Sequence, residues 1–273
     1  MPLEIPGPLL LVGAGNMGGA LLKGWLDQGL DAKQIIVQDP SPPAAMAALL
    51  SQHGIRAEAA PVLSSPPAVI LVAVKPQLME QVFPGVAAKA GPDTVVLSVA
   101  AGKTVASFEK HLAKGIAVVR SIPNTPASVG RGITAAFANA HVTASQKALC
   151  DKLLSAVGSA GWIDDEGLID AATAVSGSGP AYVFLLAECL AEAGVKAGLP
   201  PELSAQLARW TVAGAGEMLH RSDLPAATLR ENVTSPKGTT YAALQVLMAQ
   251  GGLQELMTEA VAAAAKRSAE LAG

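Results

Sequence analysis

The residues best suited to chemistry in this chain are glycines and hydroxyls. Gly13, Gly15 and Gly18 stand as Gly-x-Gly-x-x-Gly directly after the apolar run Leu9-Leu10-Leu11-Val12 and before a helical pattern. In that context Gly13 lets a strand turn sharply, Gly15 lets backbone approach a pyrophosphate, and Gly18 lets the new helix pack on the sheet. Asn16 and Met17 lie between them, where free N–H groups and the positive helix end would face the phosphates of a dinucleotide. The same glycines would also serve an ordinary strand-to-helix turn, but strand, turn and helix come in the order the motif requires.

Two later segments carry hydroxyls in similar settings. Val233-Thr234-Ser235-Pro236-Lys237-Gly238-Thr239-Thr240 leads into a helix from Tyr241 to Met248, and a helix start with hydroxyls and open N–H groups suits a carboxylate. A Ser/Thr cap without ligand accounts for the same residues equally well. Val175-Ser176-Gly177-Ser178-Gly179-Pro180 precedes an apolar helix, with Pro180 expected at its first position and N–H groups pointing outward. Neither serine has the flanking glycines of a hydrolase nucleophile elbow.

Single residues complete the inventory. Asp39 follows the second apolar run by position and lies about 20 residues beyond the glycine motif, where a carboxylate can accept from the ribose hydroxyls of NAD. It is also a good turn starter before Pro40, and the two roles are compatible; Ser41-Pro42 then reads as the cap and first residue of the next helix. Lys75, before Pro76, ends the run Ala68–Val74, either meeting a ligand or pointing to solvent. Ala100-Ala101-Gly102 follows the next run and is small enough to let a flat ring approach backbone.

The elements that must position these residues alternate in the first half. Apolar runs at Gln34–Gln38, Ala68–Val74, Val95–Val99, Ile116–Ile122, Ile133–Ala138 and Gly161–Asp164 read as strands, with Ser145–Val157 among the helices between them. Pro123 and Pro126 are expected to end the strand before them. This is the pattern of a doubly wound α/β domain over residues 1–164, followed by an all-α domain over 165–273. Within the latter, Pro180–Lys196 is apolar almost all round, which a domain of about 110 residues cannot cover alone, so a second subunit is expected.

Composition narrows the partners. The 273 residues carry a formal net charge of −3 without a block of like charges, giving no footprint for nucleic acid or an anionic membrane. A small-molecule partner fits better. No apolar run is expected to reach the length of a membrane span, the N-terminus lacks a secretory pattern, and Cys150 and Cys189 read as reduced thiols of a cytoplasmic protein. The four histidines show no ligand spacing, so no metal site is expected.

On Gly13–Gly18, Ala73-Val74-Lys75-Pro76-Gln77, Ser98–Gly102, Pro123-Asn124-Thr125-Pro126, Ser176–Tyr182 and Val233–Thr240, the chain resembles the pyrroline-5-carboxylate reductase family over essentially its whole length. The resemblance implies a Rossmann-type domain and a helical domain that interlocks with its twin, as a homodimer that often assembles further. It implies hydride transfer from NADPH or NADH to the C=N carbon of 1-pyrroline-5-carboxylate, giving L-proline. Ser235 and the N–H groups of Gly238 and Thr239 would then hold the substrate carboxylate beside Val233, with Ser178 in the opposite wall. The Thr240 hydroxyl would meet the ring nitrogen, and Val74, Lys75, Pro76 and Ala100 would join Asp39 and the glycine turn around the cofactor. Lys237 stands where the family usually has glycine, so its backbone should sit at negative φ or carry strain, and its ammonium could add to carboxylate binding. Asp39 departs from many relatives and tilts the choice toward NADH. The β-hydroxyacid dehydrogenases share the layout, but Pro180–Val195 lacks their catalytic lysine. A non-catalytic NAD(P) sensor would have no need of a carboxylate site.

Overall fold

The computed structural model describes residues 2–272. The chain divides into two compact units, Met1–Gly177 with Ala264–Gly273, and Ser178–Ala263.

The first unit is built on one sheet. Its strands are β1 (Leu9–Val12), β2 (Ile35–Gln38), β3 (Ala57–Glu58), β4 (Val69–Val72), β5 (Val95–Ser98), β6 (Ala117–Pro123), β7 (Gly132–Ala138) and β8 (Gly158–Trp162). They lie in the order β3-β2-β1-β4-β5-β6-β7-β8. All pairings are parallel except β6 with β7. The helices are α1 (Asn16–Asp27), α2 (Ala44–Gln52), α3 (Met79–Ala87), α4 (Val105–Glu109), α5 (Ala144–Ser155) and the short α6 (Ile169–Ala172).

Apolar runs without alternation make strands buried on both faces. Leu9 and Leu11 pack with α1 and α5, whereas Leu10 and Val12 face α3 and α4. On the first face Trp25 donates its indole N–H to the Leu153 carbonyl at 2.8 Å; on the second, Phe83 meets Phe108 edge to face. This is the doubly wound, Rossmann-like arrangement. The chain winds outward from β1 in one direction and from β4 in the other, leaving a crevice at the carboxyl ends of those two strands.

Several local expectations give way. The alternation breaks after β6, where a 3-10 turn at Thr125–Val129 leads straight into antiparallel β7. Pro123 stays in β6 opposite Thr134, tolerated at the strand end. The last strand is Gly158–Trp162 rather than Gly161–Asp164; its small residues hide the β signal, and Gly158 lies too close to Gly132 to carry a side chain. Helix α2 starts at Ala44, with Pro43 rather than Ser41 before its first turn; Ser41 lies instead in the turn that Asp39 starts, its N–H held by the Asp39 carboxylate.

The second unit is helical: α7 (Gly179–Lys196), α8 (Pro201–Arg221), α9 (Ala226–Asn232), α10 (Thr239–Leu247) and the first part of α11 (Leu253–Ala272). Gly194 on α7 leaves room for Ser204 on α8, whose hydroxyl donates to the Ala191 carbonyl at 2.6 Å. No residue of α7 is buried, and Phe184 is 63% exposed. Contrary to the expectation that no apolar run reaches that length, the helical stretch Glu166–Lys196 is long and apolar enough to cross a membrane. A second protein surface covers such a face as well as lipid does.

Candidate functional site

The glycine turn sits at the mouth of the sheet crevice. Gly13 has φ +92°, and a side chain there would press on the Ala73 carbonyl at 2.8 Å. A side chain at Gly18 would collide with the Gly13 carbonyl, whereas one at Gly15 would meet nothing within 4 Å. The three glycines thus divide as the motif demands: two relieve close packing and the third leaves space above a helix start. Gly15 is the N-cap of α1 and no side chain caps the helix, so the N–H groups of Asn16 and Met17 are open to an anion. This cradle fits a dinucleotide pyrophosphate.

Asp39, just past β2, is bound to that turn. One carboxylate oxygen accepts the Ala14 N–H at 2.8 Å and the other the Ser41 N–H at 2.9 Å. The turn role is therefore present in the structure, and each oxygen keeps a lone pair for a further donor. Across the crevice, Val74, the exposed Lys75 and Pro76 follow β4, with Pro76 opening a 3-10 turn. Ala100 follows β5 and is 4% exposed, its N–H donating to the Ser98 hydroxyl at 3.1 Å.

Beneath this loop lies a pair that the sequence reading passed over. Arg120, in the middle of β6, is 4% exposed and reaches Glu166 at 2.8 Å. The same Glu166 oxygen accepts the Val105 N–H at 2.8 Å, tying α4 to the centre of the sheet. The signal was an arginine inside the apolar run Ile116–Ile122, since a buried charge must find a partner. In the sequence Asn124 carries no task of its own beyond its place in the segment Pro123-Asn124-Thr125-Pro126. Its Oδ1 accepts the Ile133 N–H at 3.0 Å and its Nδ2 donates to the Ser176 carbonyl at 3.1 Å.

The segment Val175–Pro180 is not the open helix start expected. Thr173–Gly177 is a π turn continuing α6, Ser178 keeps right-handed helical dihedrals, and Pro180 is the second residue of α7 rather than the first. The Thr173 and Ser176 hydroxyls donate to the carbonyls four residues back, at 2.7 and 2.8 Å, so they are tied inward. π turns concentrate at functional sites.

The second hydroxyl segment does form an open helix start. The Gly238 N–H donates to the Ser235 carbonyl at 3.0 Å, closing a turn with Pro236 and Lys237 at its centre. Lys237 lies at φ +59°, in the left-handed region, the position that a turn with proline first normally gives to glycine. Of the two alternatives for Lys237, strain is the one present. With Gly238 as N-cap and no capping side chain, the N–H groups of Thr239 and Thr240 have no partner inside α10. Val233, Ser235, Thr239 and Thr240 are exposed on this unit. The Gly238 N–H, committed to the turn, is less available than its neighbours.

Among the described residues no group of three or more His, Cys, Asp or Glu is placed to hold a metal ion. The Cys150 thiol is pushed up to about 12 by burial, with Asp151 adding to it.

Residues 166–271 match the family model described as pyrroline-5-carboxylate reductase dimerisation. Residues 9–102 match one described as NADP oxidoreductase, coenzyme F420-dependent. The chain is 42% identical over 266 residues to the pyrroline-5-carboxylate reductase of Pseudomonas aeruginosa, spanning 97% of this chain and 96% of that protein. It is 39% identical to that of Mycobacterium tuberculosis, with 96% of each covered. Among solved structures, a pyrroline-5-carboxylate reductase from Coxiella burnetii superposes with a TM-score of 0.88 at 34% identity, covering 98% of this chain and 99% of that one. A Plasmodium falciparum pyrroline carboxylate reductase with NADP bound gives 0.77 at 29% identity, with the same coverage.

Proposed function

The chain belongs to the pyrroline-5-carboxylate reductase family of NAD(P)H-dependent oxidoreductases, and from that premise we propose how its own residues divide the reduction of 1-pyrroline-5-carboxylate to L-proline. The observation that carries the reading is the presence of two distinct anion cradles in one chain. The uncapped start of α1 suits a pyrophosphate, and the uncapped start of α10, with its hydroxyls, suits a carboxylate. When bound, the reduced nicotinamide supplies the hydride that reaches the C=N carbon.

The residues then have positional tasks. Gly13, Gly15, Gly18, Asn16 and Met17 seat the pyrophosphate, while Asp39 offers its remaining lone pairs to a ribose. Val74, Lys75, Pro76 and Ala100 line the nicotinamide side. The Thr239 N–H and the Ser235 hydroxyl hold the carboxylate beside Val233, the Gly238 N–H closes the turn that shapes this seat, and Lys237 adds a positive charge to the same turn. Ser178 lines the facing wall. The Thr240 hydroxyl orients the ring nitrogen and relays its proton.

A protonated imine is already electrophilic, so orientation and exclusion of water matter more than a strong acid or base. That agrees with a site of hydroxyls and amides and without a histidine. The helical unit carries a dimerisation domain; its exposed α7 face supports a homodimer and leaves larger assemblies open to it. The free thiols support a cytoplasmic enzyme.

Initial rates of NADH and NADPH oxidation with DL-pyrroline-5-carboxylate test this directly. Turnover with either nucleotide is expected, with NADH favoured if Asp39 turns away a 2′-phosphate. Thr240→Ala should lower kcat/KM roughly 10- to 1000-fold, the loss of one positioning hydrogen bond to a charged group. Turnover near wild type would remove Thr240 from the mechanism.

A further inference from the structure

We propose that Asn124 is a positioning residue that supplies Ser176 with the hydrogen bond Pro180 cannot give. An α-helix bonds each carbonyl to the N–H four residues on, and a π turn to the fifth. For Ser176 these are Pro180, which has no N–H, and Ala181, whose N–H donates to the Ser178 carbonyl at 3.0 Å. The Asn124 amide fills the gap, donating to the Ser176 carbonyl at 3.1 Å.

The amide is itself held. Its oxygen accepts the Ile133 N–H at the start of β7, and the residue is only 8% exposed. Turning it away would leave the amide and both of its backbone partners unsatisfied in a place with little water to replace them. Because Asn124 follows β6 directly, the sheet fixes the side chain, and the side chain fixes the turn. The π turn thus keeps its width although the next helix carries a proline at its second position.

This inference rests on the reading of Ser178, two residues beyond Ser176 and directly after the π turn, as a wall of the substrate site. Under that reading, Asn124 touches neither substrate nor nucleotide and reaches the site through the Ser176 carbonyl, while its oxygen anchors it on the Ile133 N–H. Its loss should therefore affect pyrroline-5-carboxylate kinetics and leave nucleotide binding alone. A proline-to-alanine change, which restores the missing N–H, should compensate.

The test compares wild type, Asn124→Ala and Asn124→Ala/Pro180→Ala by steady-state kinetics, with NADH and NADPH Kd taken from nicotinamide fluorescence. Asn124→Ala should lower kcat/KM for pyrroline-5-carboxylate roughly 10- to 100-fold, with nucleotide Kd within about twofold of wild type. The double variant should recover most of that loss. Full activity in Asn124→Ala, or a double variant as impaired as the single one, would overturn the proposal. If Asn124→Ala fails to fold, the double variant decides: a folded, active protein supports the compensation and an unfolded one refutes it. A wild-type protein that binds nucleotide but does not turn over pyrroline-5-carboxylate would instead defeat the reading of the site, and this proposal with it.

Discussion

Two tryptophans show how differently the two units of this chain are finished. Trp25 on α1 is fully buried and hydrogen-bonded to α5, whereas Trp210 on α8 is 70% exposed. The contrast extends to whole elements. Every residue of β1, β4 and β5 is buried, while α7, almost as apolar, buries none. Each large side chain left in water forgoes about 1.5–3 kcal/mol of burial. The sheet unit completes its core from its own sequence; the helical unit presents a core for another surface to complete, which is what a dimerisation domain requires.

The strongest way to break the self-contained unit is Gly18→Val. A side chain there runs into the Gly13 carbonyl, so α1 would have to leave the sheet, at a cost on the order of 3 kcal/mol or more. Thermal melting and nucleotide titration should both collapse; unchanged values would show that the turn has slack the structure does not display. The open unit is probed by Phe184→Glu with Leu186→Glu, both on exposed positions of α7. Buried charge at an apolar contact should weaken self-association roughly 100-fold or more. Light scattering should then give the monomer mass, with nucleotide affinity nearly kept. A dimer mass would place the interface elsewhere.

The smallest effect contrasts the two thiols. Cys150 is buried in the sheet unit and Cys189 lies on α7, so a thiol reagent should modify Cys150 only as the protein unfolds and Cys189 faster in the Phe184→Glu/Leu186→Glu monomer than in the dimer. Burial raises the Cys150 pKa from 9.0 to about 12, which means that the folded state keeps a proton the unfolded state has lost. The stability linked to it is full below pH 9 and is lost as pH rises from 9 toward 12. Urea midpoints should fall across that window, and the fall should be smaller in Cys150→Ala.

What could be read in the sequence follows the same division. Strands buried on both faces announce themselves as unbroken apolar runs, so β1, β2, β4 and β5 and the glycine turn were legible. The two-residue β3 and the Gly-Ser-Ala-Gly start of β8 carry no β-branched or large apolar signal, and only their partners in the sheet define them. Ser41 reads as a cap on local spacing, but it falls in the turn that Asp39 starts, two residues short of the N-cap at Pro43. The helix after Gly238 was legible, though it begins at Thr239 rather than Tyr241, and so was the choice facing Lys237, but not that strain would be its outcome. The continuation of α6 through a π turn into Pro180 was not legible, because the residue that makes it tolerable, Asn124, lies 52 positions from Ser176.

Asp39 has one more consequence, for anyone wishing to redesign the coenzyme preference of this protein. The carboxylate proposed to face the ribose is also the strut that holds the Ala14 N–H in the glycine turn. Replacing it to favour NADPH would loosen the seat of both coenzymes at once, so selectivity and affinity cannot be tuned separately there. A redesign that keeps Asp39 and introduces a cation at the exposed Ser41 would change the preference while leaving the strut in place.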